Sequence, residues 1–135
     1  MPTVTDVNLS LTQTDGDLVV IQVDYDVSFN KFERQLTSLG LTYDSHIIIR
    51  DYDGGDSAGS VILEFEDRDT LPVTPGNSIQ SFTNRSQSKT VARSALQVDP
   101  NGDEDEIKAT VLIHANQWLD EYTEEVVSEQ EILLG

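Results

Sequence analysis

Apolar and polar side chains alternate with a period of two along much of this chain, and that pattern confines it to extended strands with one face turned inward. Val7, Leu9 and Leu11 alternate with Asp6, Asn8, Ser10 and Thr12. Thr14-Asp15-Gly16-Asp17 follows, and Gly16 accepts the positive φ that a tight hairpin turn needs. Val19, Ile21, Val23, Tyr25 and Val27 then share a face opposite Gln22, Asp24 and Asp26, which predicts a second strand hairpinned to the first. Leu41, Tyr43, Ile47 and Ile49 alternate with Asp44, His46 and Arg50, and Ile107, Ala109, Val111, Ile113 and Ala115 alternate with Lys108, Thr110 and His114.

The intervening segments carry weaker patterns. Asn30, with Glu33 three residues on, predicts a capped short helix with Phe29, Phe32 and Leu36 on one side. Asp51-Tyr52-Asp53-Gly54-Gly55-Asp56 reads as an acidic loop. Val61, Leu63 and Phe65 make a short strand that ends before Pro72, because proline cannot donate to a sheet ladder. From Ile79 to Val98 the residues are mostly polar and β-branched, so the phase is ambiguous and an edge or surface strand is expected. In the tail, Trp118, Tyr122 and Val126 have helical spacing, whereas Val126, Ser128, Gln130 and Ile132 suit a strand. A sheet that needs a final partner favours the strand.

The 135 residues suit a single domain, 1–135. About seven or eight short strands with few helices predict an all-β protein, an antiparallel sandwich of two sheets, with a jelly roll or β-barrel as the alternative. The arrangement resembles immunoglobulin-like and fibronectin type III-like sandwiches, with Asp103-Glu104-Asp105-Glu106-Ile107-Lys108-Ala109 placed where such domains set an acidic residue ahead of a late core strand. It departs from them at three positions. Ile107 stands at the place of the corner tyrosine, Ala109 at that of the second cysteine, and Trp118 follows this strand. The resemblance implies an interaction or scaffold role.

Charge removes several function classes. Eight basic against 25 acidic residues leave a net charge of −17, which repels nucleic-acid phosphates and anionic lipid. The absence of cysteine excludes disulfides and thiolate chemistry. No signal-like segment opens MPTVTDVNLS and no apolar run approaches the roughly 20 residues of a membrane span, so a soluble, cytoplasmic location is the default expectation. The acidity is open to three interpretations: a surface for a basic protein partner or for calcium, charge that keeps strands from pairing with copies of themselves, or adaptation to high salt. The second requires no partner.

Chemistry-bearing motifs are few. Asp99, Asn101, Asp103 and Asp105 alternate in the loop Asp99-Pro100-Asn101-Gly102-Asp103-Glu104-Asp105, whose oxygens could converge on Ca²⁺. An EF-hand is excluded, since Glu104 replaces the required glycine and Thr110 the bidentate glutamate. The competing interpretation is a hairpin turn whose carboxylates face water. His46 and His114 sit on polar faces without a recognisable nucleophile or ligand set. No carboxylate pair stands out as a hydrolase dyad, and Asp53-Gly54-Gly55-Asp56 lacks the lysine of a phosphate loop. The expectation is therefore a non-enzymatic interaction or structural module without cofactor. A Ca²⁺-stabilised module is the alternative, and a carboxylate-based hydrolase is third.

Overall fold

The structure, a computed structural model, describes residues 2–14, 16–51, 61–96, 105–116, 125–127 and 131–133. It is an all-β fold of two antiparallel sheets. β1 (Thr3–Thr14) and β2 (Leu18–Phe29) form the expected hairpin, with Thr14 opposite Leu18. The turn passes through Gly16 and Asp17 at φ of 85° and 63°, a conformation that glycine adopts freely and aspartate tolerates. β2 also pairs with β6 (Gln80–Ala92), so the small sheet runs β1-β2-β6 with β2 in the middle.

Both outer strands of this sheet bulge at the same level. Asp6 in β1 and Asn84 in β6 take φ of 54° and 55°, and the register slips on either side of Asp26 of β2. Asp26 Oδ1 accepts the Asn84 N–H at 2.8 Å, so the bulge in β6 is held by a side chain of the central strand.

The second sheet is built on β3 (Thr42–Asp51) and β7 (Asp105–Asn116), paired from Thr42↔Asn116 to Asp51↔Ile107. The other side of β3 is occupied in two halves. β4 (Val61–Glu64) pairs with its far end and β5 (Asp69–Leu71) with its near end, and the Phe65 N–H to Ile47 carbonyl bond (2.9 Å) joins them. The alternation predicts one strand from Val61 through Phe65 and carries no signal for β5, which stops at the residue before Pro72. On the far side of β7 lie β8 (Glu125–Val127) and β9 (Glu131–Leu133), so these tail residues are extended, as a sheet in need of partners predicts. The described residues form no closed barrel.

The inner faces meet in one apolar cluster. Val19, Ile21, Val23, Val27 and Phe29 of β2 face Tyr43, Ile47 and Ile49 of β3 and Ile107, Val111 and Ile113 of β7. Burying each such side chain contributes about 1.5–3 kcal/mol, which makes this layer the main source of stability. Phe29 packs against Tyr43 at a ring separation of 4.8 Å and edge-on against Phe82 at 6.0 Å, which ties β2 to both β3 and β6.

A short α-helix follows β2. α1 (Lys31–Leu36) begins with the predicted capping box: Asn30 Oδ1 accepts the Glu33 N–H, Glu33 Oε1 accepts the Asn30 N–H, and both bonds are 2.8 Å. Glu33 is fully buried, and its carbonyl accepts the Tyr43 hydroxyl at 2.9 Å. Phe32 departs from expectation, being 64% exposed. Phe29 belongs to β2 rather than to the helix, so helical spacing counted from it does not apply, and the inward positions are Glu33 and Leu36. Arg34 and Gln35 reach from this helix to the 74–78 loop, where Arg34 donates to the carbonyls of Thr74, Pro75 and Ser78 and so fixes the approach to β6.

Candidate functional site at the edge of the small sheet

β6 is thirteen residues long, and among the described residues it pairs with β2 alone. Its inward side chains follow from the register: Val91 lies beside Val19, Lys89 beside Ile21, Gln87 beside Val23, Arg85 beside Tyr25 and, past the bulge, Phe82 beside Val27. The central strand thus carries no charge on its inner face and only one polar group, the Tyr25 hydroxyl, while its neighbour presents two cations and an amide there. Its outward positions are Ser81, Thr83, Ser86, Ser88, Thr90 and Ala92, all small and uncharged.

An open cleft of about 330 Å³ lies between β6 and the break that separates β4 from β5. Gln87, Ser88 and Lys89 form one wall, Glu66 and Asp67 another, and Phe65 adds an apolar surface. Gln87 Oε1 is buried there and has no hydrogen-bond partner among the described residues. The cleft therefore offers a cation on the strand side, carboxylates opposite and one ring.

Below the cleft the two sheets are joined by polar groups. The Tyr25 hydroxyl donates to Ser45 Oγ at 2.5 Å, and Arg85 grips Asp69 through Nε and Nη2 at 3.1 and 2.6 Å onto one carboxylate oxygen. Two of these residues come from the small sheet and two from the large one, and Tyr25↔Arg85 and Ser45↔Asp69 are register pairs. Burial pushes the Tyr25 phenol above its ordinary range, and its bond to Ser45 partly offsets that shift. The alternation in the sequence sets hydrophobic residues on the inward faces, and this polar bridge between the sheets is not marked by it. Ser45 occupies an inward position of β3 and is fully buried, which alternation alone cannot signal for a serine.

On the opposite side of the large sheet, the histidines sit on outward positions, as their polar neighbours predict. Pairing of β3 with β7 brings them together with ring centroids 5.7 Å apart. His46 Nε2 lies 3.6 Å from Glu64, and burial, aided by nearby Arg68 and opposed by Glu64, holds its pKa below the ordinary value. Beside them Asn116 donates to Asp44 at 2.5 Å. No group of three or more His, Asp or Glu able to hold a metal occurs among the described residues. Of the four residues assigned to Ca²⁺ from sequence, Asp99, Asn101 and Asp103 lie outside the described residues, and Asp105 opens β7 opposite Leu133. No helix among the described residues is long and apolar enough to cross a membrane.

A sequence signal for β6 exists in the distribution of charge. No acidic residue occurs between Asp69 and Asp99, yet Arg85, Lys89 and Arg93 all fall in that interval of a chain whose net charge is −17. The gap acquires meaning only once strand order places it on an open edge.

No protein-family description matches the sequence, and no curated protein matches it. Among solved structures, the chain is similar to a protein from Archaeoglobus fulgidus, with a TM-score of 0.48, 11% identity and 98% of each chain covered. It is also similar to part of β-glucosidase 3B from Thermotoga neapolitana, in complexes with glucose and with glycerol. Those TM-scores are 0.34 and 0.33 at 13% and 12% identity, and all of this chain covers 17% of the enzyme.

Proposed function

We propose that this chain is a non-enzymatic interaction module, a sandwich of the immunoglobulin-like kind that takes a protein partner by strand addition at β6. The observation that carries the reading is a long edge strand, unpaired on its outer side among the described residues and free of acids, beside an open cleft. An exposed row of backbone donors and acceptors is a template for a further strand, and natural proteins guard or use such edges. Main-chain hydrogen bonds would supply affinity, and the cleft would select alternate side chains of the added strand. The net charge of −17 steers partners of net basic charge toward the molecule, while the acid-free edge makes the contact.

Selection of displayed random decapeptides on the folded chain, followed by amide-shift mapping of the enriched peptides, tests the proposal. Shifts concentrated on Gln80–Ala92 and Phe65–Asp67 are expected. Enriched peptides that shift only other regions, or no enrichment at all, would overturn it.

A further inference from the structure

We infer that the segment β6 accepts is an extended strand with a carboxylate opposite Lys89, apolar residues two positions to either side on the same face, and threonines between. This rests on the strand-addition reading above and specifies its occupant.

Lys89 is an inward residue of an edge strand and makes no ion pair among the described residues. A side chain directly opposite it on an added strand would have its Cβ about 5 Å away, and opposite charges in that arrangement attract. Two residues along in either direction, the added strand would face Gln87 and Val91 on the same side, with Phe65 of the cleft also within its reach. Apolar side chains suit those places. On the outer face it would meet Ser88 and Thr90, and hydroxyl residues paired across strands favour threonine.

Two other charge sets compete with this assignment. The net charge of −17 steers the encounter, but at physiological salt the screening length is about 8 Å, so within the docked contact the nearby groups decide which side chain is preferred. Glu66 and Asp67 are nearby, on the far wall of the cleft, and they favour a cation. Lys89 lies on the strand that the segment joins, in direct cross-strand contact, and Arg85 is already engaged by Asp69. A second copy of this chain pairing β6 to β6 would bring two sets of Arg85, Lys89 and Arg93 together, along with two acidic bodies.

The experiment uses the capped heptapeptide Thr-Val-Thr-Glu-Thr-Val-Thr and its lysine-centred counterpart, titrated into isotope-labelled chain at 150 mM salt while the amides of Gln80–Ala92 are followed. The wild type is expected to favour the glutamate peptide about two- to fivefold. Lys89→Gln should abolish the preference and Lys89→Glu should reverse it. If the wild type prefers the lysine peptide, or if its preference survives Lys89→Gln, the inference is wrong. Shifts of β6 amides with protein concentration alone would make a second copy the occupant and also overturn it. Should displayed decapeptides dock on β6 while neither heptapeptide does, this inference fails and strand addition stands; should nothing dock there, both fail.

Discussion

β1 and β6 are the two edges of one small sheet, and they differ in what they turn inward. Each pairs with β2 over nearly its whole length, and each carries a bulge at the level of Asp26. β1 turns Val4, Val7 and Leu9 inward and lies against β7, β8 and β9 of the other sheet. β6 turns Arg85, Gln87 and Lys89 inward, with the broken edge of β4 and β5 opposite. Backbone pairing is therefore indifferent to whether an edge is sealed. The partner layer decides it: where the edge strand lies against β7, β8 and β9 its inward residues are apolar, and where it faces the gap between β4 and β5 they are polar and a cleft remains.

The largest effect should separate the two edges directly. Leu9→Ala removes a side chain from the sealed edge and is expected to cost about 2–5 kcal/mol in urea unfolding. Val91→Ala, at the half-buried end of β6, should cost about 1 kcal/mol or less. Equal losses would mean that β6 is packed as tightly as β1. Next in size is the bridge beneath the cleft. Tyr25→Phe keeps the ring but removes the bond to Ser45, and a loss of about 1 kcal/mol is expected in the same measurement. No loss would show that the hydroxyl pair does not help hold the sheets together beside the open edge.

How much of this could be seen in the sequence depends on whether a signal is local. β2 keeps one phase from Val19 to Phe29, and β7 keeps one from Ile107 to Ala115, so their inner faces were legible. β6 was not, for two reasons: polar residues occupy its inner positions, and the bulge at Asn84 shifts the phase between Phe82 and Arg85. The capping box of Asn30 and Glu33 was legible because it spans one helical turn. The Tyr25 to Ser45 bridge and the His46 to His114 contact were hidden, since each depends on which strands become neighbours. The proposed docking edge was half visible. The acid-free interval can be read from composition, but the knowledge that it forms an edge comes only with topology.

A smaller effect asks whether polar groups on the large sheet behave like those under β6. Burial, with Arg68, lowers the folded-state pKa of His46, while Glu64 and the neighbouring His114 ring also face it. A depressed histidine pKa means that the unfolded chain binds the proton more readily, so stability is present above the unfolded value near 6.5 and falls as pH drops through the folded one. Between pH 7.5 and 5.5 the wild type should lose more thermal stability than His46→Gln. An identical loss in both would place the acid sensitivity in the carboxylates.

The smallest change in folding free energy should accompany the sharpest change in behaviour. Lys89→Val with Gln87→Val makes the inner face of β6 beside the cleft apolar, like that of β1, without supplying the large-sheet surface that covers β1. Folding stability is expected to stay within about 1 kcal/mol of wild type, since the sites are half-buried and partly open to solvent. Association should change instead. An edge whose one remaining inward charge, Arg85, is engaged by Asp69 is a template for another copy, and the double variant should sediment faster than wild type at equal concentration, increasingly so as salt screens the acidic bodies. If the two sediment alike at high salt, the inward lysine is not what keeps this edge from pairing with itself.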